Sequence, residues 1–594
     1  PVAEIQSQER PRWRTAHTLN FKLRNLKGIH SLSAVAGFEA MSEENRSIIS
    51  SSRMFPEDFT PQKAFDRMQS GSTEYTITNN GADTRLASFF GRANYTLKDR
   101  YLFTATVRAD GSTKFAPGNQ WGIFPSAAFA WRISSEPFLK NVSQIDDMKI
   151  RLSYGEAGNN RIDNDMWRRT YVGAITSPVA GVGNVPNLYY ENTSSTLINP
   201  SLKWETTITR NFGIDYSFFN NRLSGTIDFY WNTTKDLLLK SVVPASSGYN
   251  DQLRNIGQTS NRGFEFSITG QLVRKRNFSL TATLNFSLNR NKVDKLAGVD
   301  ETFYRSGWAE GLRESDDFIL RVGQPTGLIY GYVTDGFYQV DDYQQGSDGK
   351  WYLKEGIANS QSITQAYNTI NQGAGVPSPG SLKLKKTTPV DPDNPDTYNI
   401  TPDDRQIIGN TNPKHTGGLN LSAVYKNLDI SLFFNWVYGN DVYNANKIQF
   451  TTQWKKDYYN MLSVMSSANR FRYMDDAGNK ITDMEQLRTL NENATIWSPA
   501  MKIPVLHSWA IEDGSFLRLN NITIGYTLPT KWTKRVLINR CRVYCTVNNV
   551  FVWTKYSGFD PEVSTCLSTP LTPGVDFSSY PKARTFTLGA NITF

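Results

Sequence analysis

Arg584-Thr585-Phe586-Thr587-Leu588-Gly589-Ala590-Asn591-Ile592-Thr593-Phe594 is the final stretch of the sequence. Side chains of a strand alternate faces, so Phe586, Leu588, Ala590, Ile592 and Phe594 point one way while Thr585, Thr587, Gly589, Asn591 and Thr593 point the other. A soluble strand with one buried face shows the same alternation. Recurrence decides the matter: the pattern repeats along the chain at about 9 to 11 residues, the length of a membrane-spanning strand. The fold class is therefore all-β, a transmembrane antiparallel β-barrel.

The pattern is clearest in the middle of the chain. Ile208, Phe212, Ile214, Tyr216 and Phe218 alternate with Thr209, Asn211, Gly213, Asp215 and Ser217. A tight Asn220-Asn221 turn follows, and Leu223, Gly225, Ile227, Phe229 and Trp231 return along the same face. Phe264, Phe266 and Ile268 form the next strand, and Phe278 to Leu288 repeats the alternation after the basic turn Arg274-Lys275-Arg276. The same reading makes strands of Arg12 to Arg24, Ile29 to Ala40, Thr84 to Leu97, Tyr101 to Arg108, Gln120 to Ile133 and Met148 to Gly155. Later strands are Asp317 to Val322, Leu328 to Gln339, Leu419 to Trp436 as a hairpin, Phe516 to Leu528 and Arg542 to Thr554. The total is about 17 strands, a number that suits only a large barrel.

Short turns alternate with long polar connections: Met41 to Gly81, Glu156 to Leu202, Gln339 to Pro413, Asn440 to His507 and Lys555 to Tyr580. Outer-membrane barrels put short turns in the periplasm and long loops outside. Counting back from a periplasmic C-terminus places all five outside. Within Asn440 to His507, Ile448, Thr452, Trp454, Tyr458, Met461 and Val464 recur at helical spacing and predict a helix.

Composition agrees. The hydrophobic fraction is 39% and mean hydropathy is -0.47. No run approaches the roughly 18 apolar residues a spanning helix needs. Net charge is only +9 over 594 residues, without a Lys/Arg run, so nucleic acid is not a partner. Three cysteines make no disulfide framework, and Cys541 and Cys545 stand about 13 Å apart along one strand, too far to bond each other. The opening Pro1-Val2-Ala3-Glu4 has no feature of a secretory leader. An enzyme reading lacks a site: His17, His30, His415 and His507 are scattered without metal spacing, and no Gly-x-Ser-x-Gly elbow is present. This disfavours an outer-membrane hydrolase and implies no cofactor. The acidic run Asp391 to Asp396 lacks the glycine and distal Glu of an EF-hand loop and reads as a solvated turn.

Arg151-Leu152-Ser153-Tyr154-Gly155-Glu156-Ala157-Gly158-Asn159-Asn160 resembles a signature of SusC-like TonB-dependent transporters of the Bacteroidetes outer membrane. So do Asn199-Pro200-Ser201-Leu202-Lys203-Trp204-Glu205, Asn261 to Glu265, Gly331 to Tyr338, Phe516 to Pro529 and Tyr556 to Glu562, in the family order. The resemblance covers essentially residues 1–594, as a C-terminal barrel portion with long extracellular loops. It implies a 22-stranded importer with an N-terminal plug and TonB box, capped by a SusD-like lipoprotein. Plug and TonB box have no counterpart here, so TonB coupling would act through a plug domain outside this chain. On the parity above, an N-terminal part of the same transporter would supply five further strands. The implied substrates are oligosaccharides; oligopeptide import by the same architecture and a passive porin are the alternatives.

A sugar site needs flat aromatic platforms beside Asn, Asp and Arg. The candidates in the connections are Trp167, Tyr189, Tyr190, Trp308, Trp351, Tyr352, Trp454 and Trp497. Phe218, Tyr425, Tyr526 and Phe594, at the turn ends of strands, suit an interfacial girdle against outer-membrane lipid. Arg210, Arg262 and Arg518 fall on lipid-facing parity positions and are expected near the outer rim. The loops Gln339 to Pro413 and Asn440 to His507 are expected to line the substrate chamber and meet the lipoprotein.

Overall fold

The structure, a computed structural model, describes residues 2–81, 83–169, 172–173, 190–191, 194–296, 298–308, 311–312, 316–454, 460–565 and 570–594. The chain forms two compact units, Pro1–Gly263 with Asp294–Gly298, and Phe264–Val293 with Val299–Phe594.

In the first unit, Arg12–Leu26, His30–Glu43, Thr84–Leu97, Tyr101–Ser112, Trp121–Arg132, Ile145–Asn159, Glu205–Phe218 and Leu223–Val242 pair antiparallel in chain order. Register carries the alternation from strand to strand. Tyr95 lies opposite Phe103, Phe103 opposite Phe129, Phe129 opposite Leu152, Leu152 opposite Phe212 and Phe212 opposite Phe229. This apolar row is open to the surroundings, with Leu152 50% exposed, a pattern that water would oppose and hydrocarbon accepts. The other face is polar and cross-linked: Arg151 reaches Asp215 at 2.8 Å and Asp228 at 3.1 Å, and Arg14 reaches Glu39 at 2.6 Å.

Two of the strings that carry the family resemblance have a packing reason. Phe124 and Trp204 are buried in one cluster with Phe115, Ile162 and Leu202. A Cβ at Gly158 would stand 2.0 Å from the Phe124 ring, so only glycine lets that ring lie across the strand. Trp204 Nε1 donates to the Gln120 carbonyl at 2.8 Å.

In the second unit, Phe278–Lys295, His415–Tyr425, Leu428–Tyr438, Phe516–Thr527, Arg540–Thr554 and Thr585–Thr593 pair in that order. The terminal strand sets Phe586 opposite Val547 and Leu588 opposite Cys545, with Leu588 83% exposed. Tight turns use left-handed residues where the sequence expects them: Lys98 and Asp99, Asn220 and Asn221, and Lys426 all have φ between 53° and 57°. From Tyr425 at the turn end to His415 at the far end is about 33 Å of strand, or about 25 Å at a tilt near 40°, the height of an apolar membrane band. Rings mark both limits: Tyr425 at one, and Phe286, His415 and Tyr438 stacked at the other with centroids 5.3 and 4.9 Å apart.

Four expectations are corrected. Asp317 to Val322 and Leu328 to Gln339 are not wall strands. They contribute Phe318–Arg321 and Leu328–Gly331 to a separate four-stranded sheet with Glu301–Tyr304 and Gln406–Asn410. Phe318, Ile319, Leu320, Leu328 and Ile329 are all buried, so neither face meets lipid or a wet lumen. Second, Met41 to Gly81 is not a plain connection: Arg46–Arg53 and Ser72–Asn80 form a three-stranded sheet with Val2–Glu9. Third, the expected helix shrinks to Ala445–Gln449, because Ile448 and Trp454 serve one cluster while Met461 and Val464 serve another; Tyr458 lies outside the described residues. Fourth, Arg518 does not follow the lipid-facing parity. Against Leu428–Tyr438, Asn520 is one extra residue in Phe516–Thr527 and bulges, and the pairing with Arg540–Thr554 shifts at the same place. Leu517 therefore joins Trp553 on the exposed face and Arg518 turns to the other, where its side chain is only 3% exposed. Arg210 stays on the apolar face, 5.9 Å from the Tyr154 ring and one step nearer the tight turn than Ile208 and Glu156.

Candidate functional site

The connections of the second unit are not loose. They hold three buried clusters built from segments far apart in sequence. The first joins Trp308, Phe318, Ile329, Tyr443, Ile448 and Val575. The second joins Tyr332, Ile363, Leu382, Met465, Trp497 and Val505. The third joins Tyr338, Tyr343, Ile370, Phe471, Met484 and Leu487. The connections Gln339 to Pro413 and Asn440 to His507 thus share cores and fold as one body.

Charged groups are buried at the joints of this body. Asp404 is fully buried and accepts bonds from Lys386 Nζ at 2.8 Å, from the backbone N–H groups of Thr387, Thr388 and Thr401, and from the Thr388 hydroxyl. Burial alone would raise its carboxyl pKa; Lys386 and these amides outweigh burial and hold it well below the ordinary value. Asp317 accepts from the Ser306 amide at 2.7 Å and from the Ser306 hydroxyl, but burial prevails and its pKa rises to about 6. His507, packed edge-on to Trp497 at 5.0 Å, is pushed down to about 3 by burial and by the nearby Lys447, so its imidazole is neutral at ordinary pH.

An open pocket of about 480 Å³ lies between Asn444, Asn446, Lys447, Phe450 and Leu462 on one side and the last connection, at Ser557 to Phe559 and Asp576 to Ser579, on the other. Strand Asp441–Asn444, held between Ile511–Asp513 and Val575–Asp576, supplies its rigid base. Lys447 Nζ lies 3.8 Å from the Trp509 ring centre and 3.4 Å from Glu512. Asn444 donates to Glu512 at 3.0 Å, and Asn446 accepts from the Ser578 amide at 2.9 Å. Phe559, 75% exposed, offers an aromatic face beside these amides and hydroxyls. A second cleft of about 650 Å³ includes Arg290, Asn412, Lys414, Tyr438 and Asp441 at the far strand ends. In the first unit, an apolar trench over Ala93, Ala105, Ala127 and Phe103 belongs to the lipid-facing row.

The candidate rings take other places. Trp308 and Trp497 are 7% and 3% exposed, in cluster cores, and Trp308 Nε1 donates to the Tyr443 hydroxyl at 2.7 Å. Trp454 packs against the first cluster, and Trp351 and Tyr352 against the third. Trp167 donates to the Thr113 carbonyl at 3.4 Å in the first unit. Tyr190 pairs with Gly173 through its backbone, and Tyr189 lies outside the described residues. None of the candidate rings among the described residues lines the 480 Å³ pocket. Phe559 was legible within the family string Tyr556 to Glu562. Asn444, Asn446 and Lys447 carry no signal in sequence, because they become neighbours of Phe559 only when two connections meet. In the acidic run, Asp391 accepts from the Asp393 amide and Asn394 from the Asp396 amide, a turn bonded to its own backbone.

A family model described as TonB dependent receptor-like, beta-barrel matches residues 7–550. TonB-dependent receptor P3 of Formosa agariphila is 30% identical over 96% of this chain and 51% of its own. TonB-dependent receptor SusC of Bacteroides thetaiotaomicron is 29% identical over 90% of this chain and 46% of its own. The chain spans about half the length of these curated relatives. A solved structure of the RagAB peptide transporter superposes with a TM-score of 0.69 at 22% identity, covering 100% of this chain and 56% of that one, a likeness of fold.

Proposed function

The chain belongs to the TonB-dependent receptor-like β-barrel family of the outer membrane, and from that premise we propose that it forms the barrel portion of an importer of oligosaccharides. The observation that carries the substrate reading is the 480 Å³ pocket, where the exposed Phe559 ring stands beside Asn446, Lys447 and the Ser578 and Ser579 residues. A pyranose presents an apolar ring face to the phenyl group and hydroxyls to amides and hydroxyls around it. The polar face of the wall, bridged by pairs such as Arg542 with Asp429 at 2.9 Å, suits a wet passage. A TonB-coupled plug and a SusD-like lipoprotein complete the proposed machine, the lipoprotein meeting the joined connections Gln339 to Pro413 and Asn440 to His507. Peptide importers share the fold, so peptides are the competing cargo in the test.

Uptake measured with labelled oligosaccharide and oligopeptide pools decides between them. Phe559→Ala is expected to raise the half-saturation concentration of the imported pool about tenfold, since a stacked ring is worth about 0.5 to 1.5 kcal/mol beyond its area. Import of peptides alone would overturn the oligosaccharide reading, and an unchanged half-saturation would remove the pocket from the path. Shortening either long connection is expected to abolish lipoprotein retention on affinity capture, because each loop loses the other half of its core. The barrel should still assemble, because the wall strands pair without them. Retention unchanged in both deletions would disprove the interface.

A further inference from the structure

Gly558 and Phe559 sit between two sets of anchors, each with a buried member, Tyr556 on one side and Asp560 on the other. On one side the Tyr556 hydroxyl donates to Asp576 at 2.6 Å, and the Ser557 amide and hydroxyl donate to Glu512 at 2.9 and 2.8 Å. On the other side Asp560, only 5% exposed, receives Arg518 Nη2 at 2.7 Å from the wall strand Phe516–Thr527. Arg518 Nη1 donates to Asn549 Oδ1 at 2.6 Å, and Asn549, held at φ 51°, donates to the Lys582 carbonyl at 3.0 Å. Lys582 Nζ closes the cluster on Glu562 at 2.6 Å. Arg518 Nε has no partner among the described residues, so two bonds aim the guanidinium. A buried ion pair is a poor source of net stability, because desolvation offsets its attraction, but breaking one strands a charge and forces the segment to move. Such a pair suits the fixing of a conformation.

We infer that Arg518 is the positioning residue of the loop pocket: from the wall it holds the segment that presents Phe559, and so sets how tightly the pocket grips its ligand. This rests on the reading of that pocket as a ligand site. An exposed ring held rigid on both sides binds without paying to be ordered first. The bulge at Asn520 is what delivers Arg518 to this task, since unbroken alternation would leave it in the apolar face.

The test uses the full-length transporter in its native outer-membrane complex, with Cys541, Cys545 and Cys566 changed to serine and a nitroxide on Phe559→Cys. The parent label is expected to be immobilised, and Arg518→Gln and Asp560→Asn each to free it. The double variant should be no freer than the freer single variant, because both changes break the same Arg518–Asp560 pair. In unlabelled protein each single variant should raise the half-saturation of whichever labelled pool the parent imports roughly tenfold, with maximal rate within about twofold. Arg518→Lys, keeping the charge, should fall between. Heat-modifiable migration on gels checks that barrels are folded, and Asp560→Asn acts from the loop should Arg518→Gln fail to assemble. An equally immobile label in the folded variants would overturn the inference and leave the pocket reading intact. A freed label with unchanged half-saturation would overturn it too; if Phe559→Ala then also left uptake unchanged, the pocket reading would go with it.

Discussion

Replacing Leu284 by arginine is expected to cost about 2 to 4 kcal/mol of barrel stability, and the same change at Thr283 far less, although the two are neighbours in one strand. Leu284 lies directly opposite Leu419, in the row that includes Phe286, Ala282 and Leu280. An arginine there must carry its charge into hydrocarbon or pull lipid headgroups and water toward it. Thr283 points to the polar face, where its hydroxyl meets that of Thr269 at 3.0 Å. An arginine on that face finds water and loses only this bond. Denaturant titration of the folded protein in lipid vesicles, followed by tryptophan emission, gives both values. Equal costs would mean that the register of Phe278–Lys295 is displaced by one residue, which exchanges the faces of every side chain in it.

Asp404→Ala is expected to loosen the joined connections by about 3 to 5 kcal/mol while leaving the wall intact. The carboxylate is the only acidic partner given to the nearly buried Lys386 among the described residues, and it also caps the Thr387, Thr388 and Thr401 amides. Its removal strands one buried cation and three donors. Hydrogen exchange should show these amides losing roughly two to three and a half decades of protection, at about 1.4 kcal/mol per decade. Exchange in the strand His415–Tyr425 should be unchanged. The pH dependence follows from the sign of the shift. The folded-state pKa of Asp404 lies below its ordinary value of 3.8, so its contribution is full above that value and lost as pH falls through the lower, folded-state pKa. The opening free energy of these amides should therefore stay level from pH 8 to about pH 4. A steady rise as pH falls below about 6 would assign the control to Asp317, whose carboxyl pKa burial lifts to about 6 and which therefore takes up its proton more readily in the folded state.

The wall was legible from sequence because its information is local. A strand with lipid on one side and water on the other must alternate, residue by residue, and turns such as Asn220-Asn221 carry their own conformational preference. That reading placed Leu284, Phe229 and Leu588 on the apolar face, where the structure has them. It failed where a side chain's surroundings come from distant chain. Phe318 to Leu320 looked like part of a wall strand, yet it is buried on both faces by connections that close over it. Trp308 and Trp497 are buried for the same reason: they are large apolar rings in polar loops, and whether such a ring meets a ligand or fills a core depends on what folds against it.

The sequence by itself determined the fold class, the lipid-facing register of most wall strands, the positions of the tight turns and the family, because each is written in the period of two or in strings a few residues long. Only the tertiary structure decided that two long connections share one set of cores, that Phe559 stands beside Asn446 and Lys447, and that Arg518 leaves the apolar face to hold Asp560. Alternation is a property of one strand, whereas a bulge at Asn520 depends on the pairing of Phe516–Thr527 with both of its neighbours, and a pocket exists only where separate segments meet.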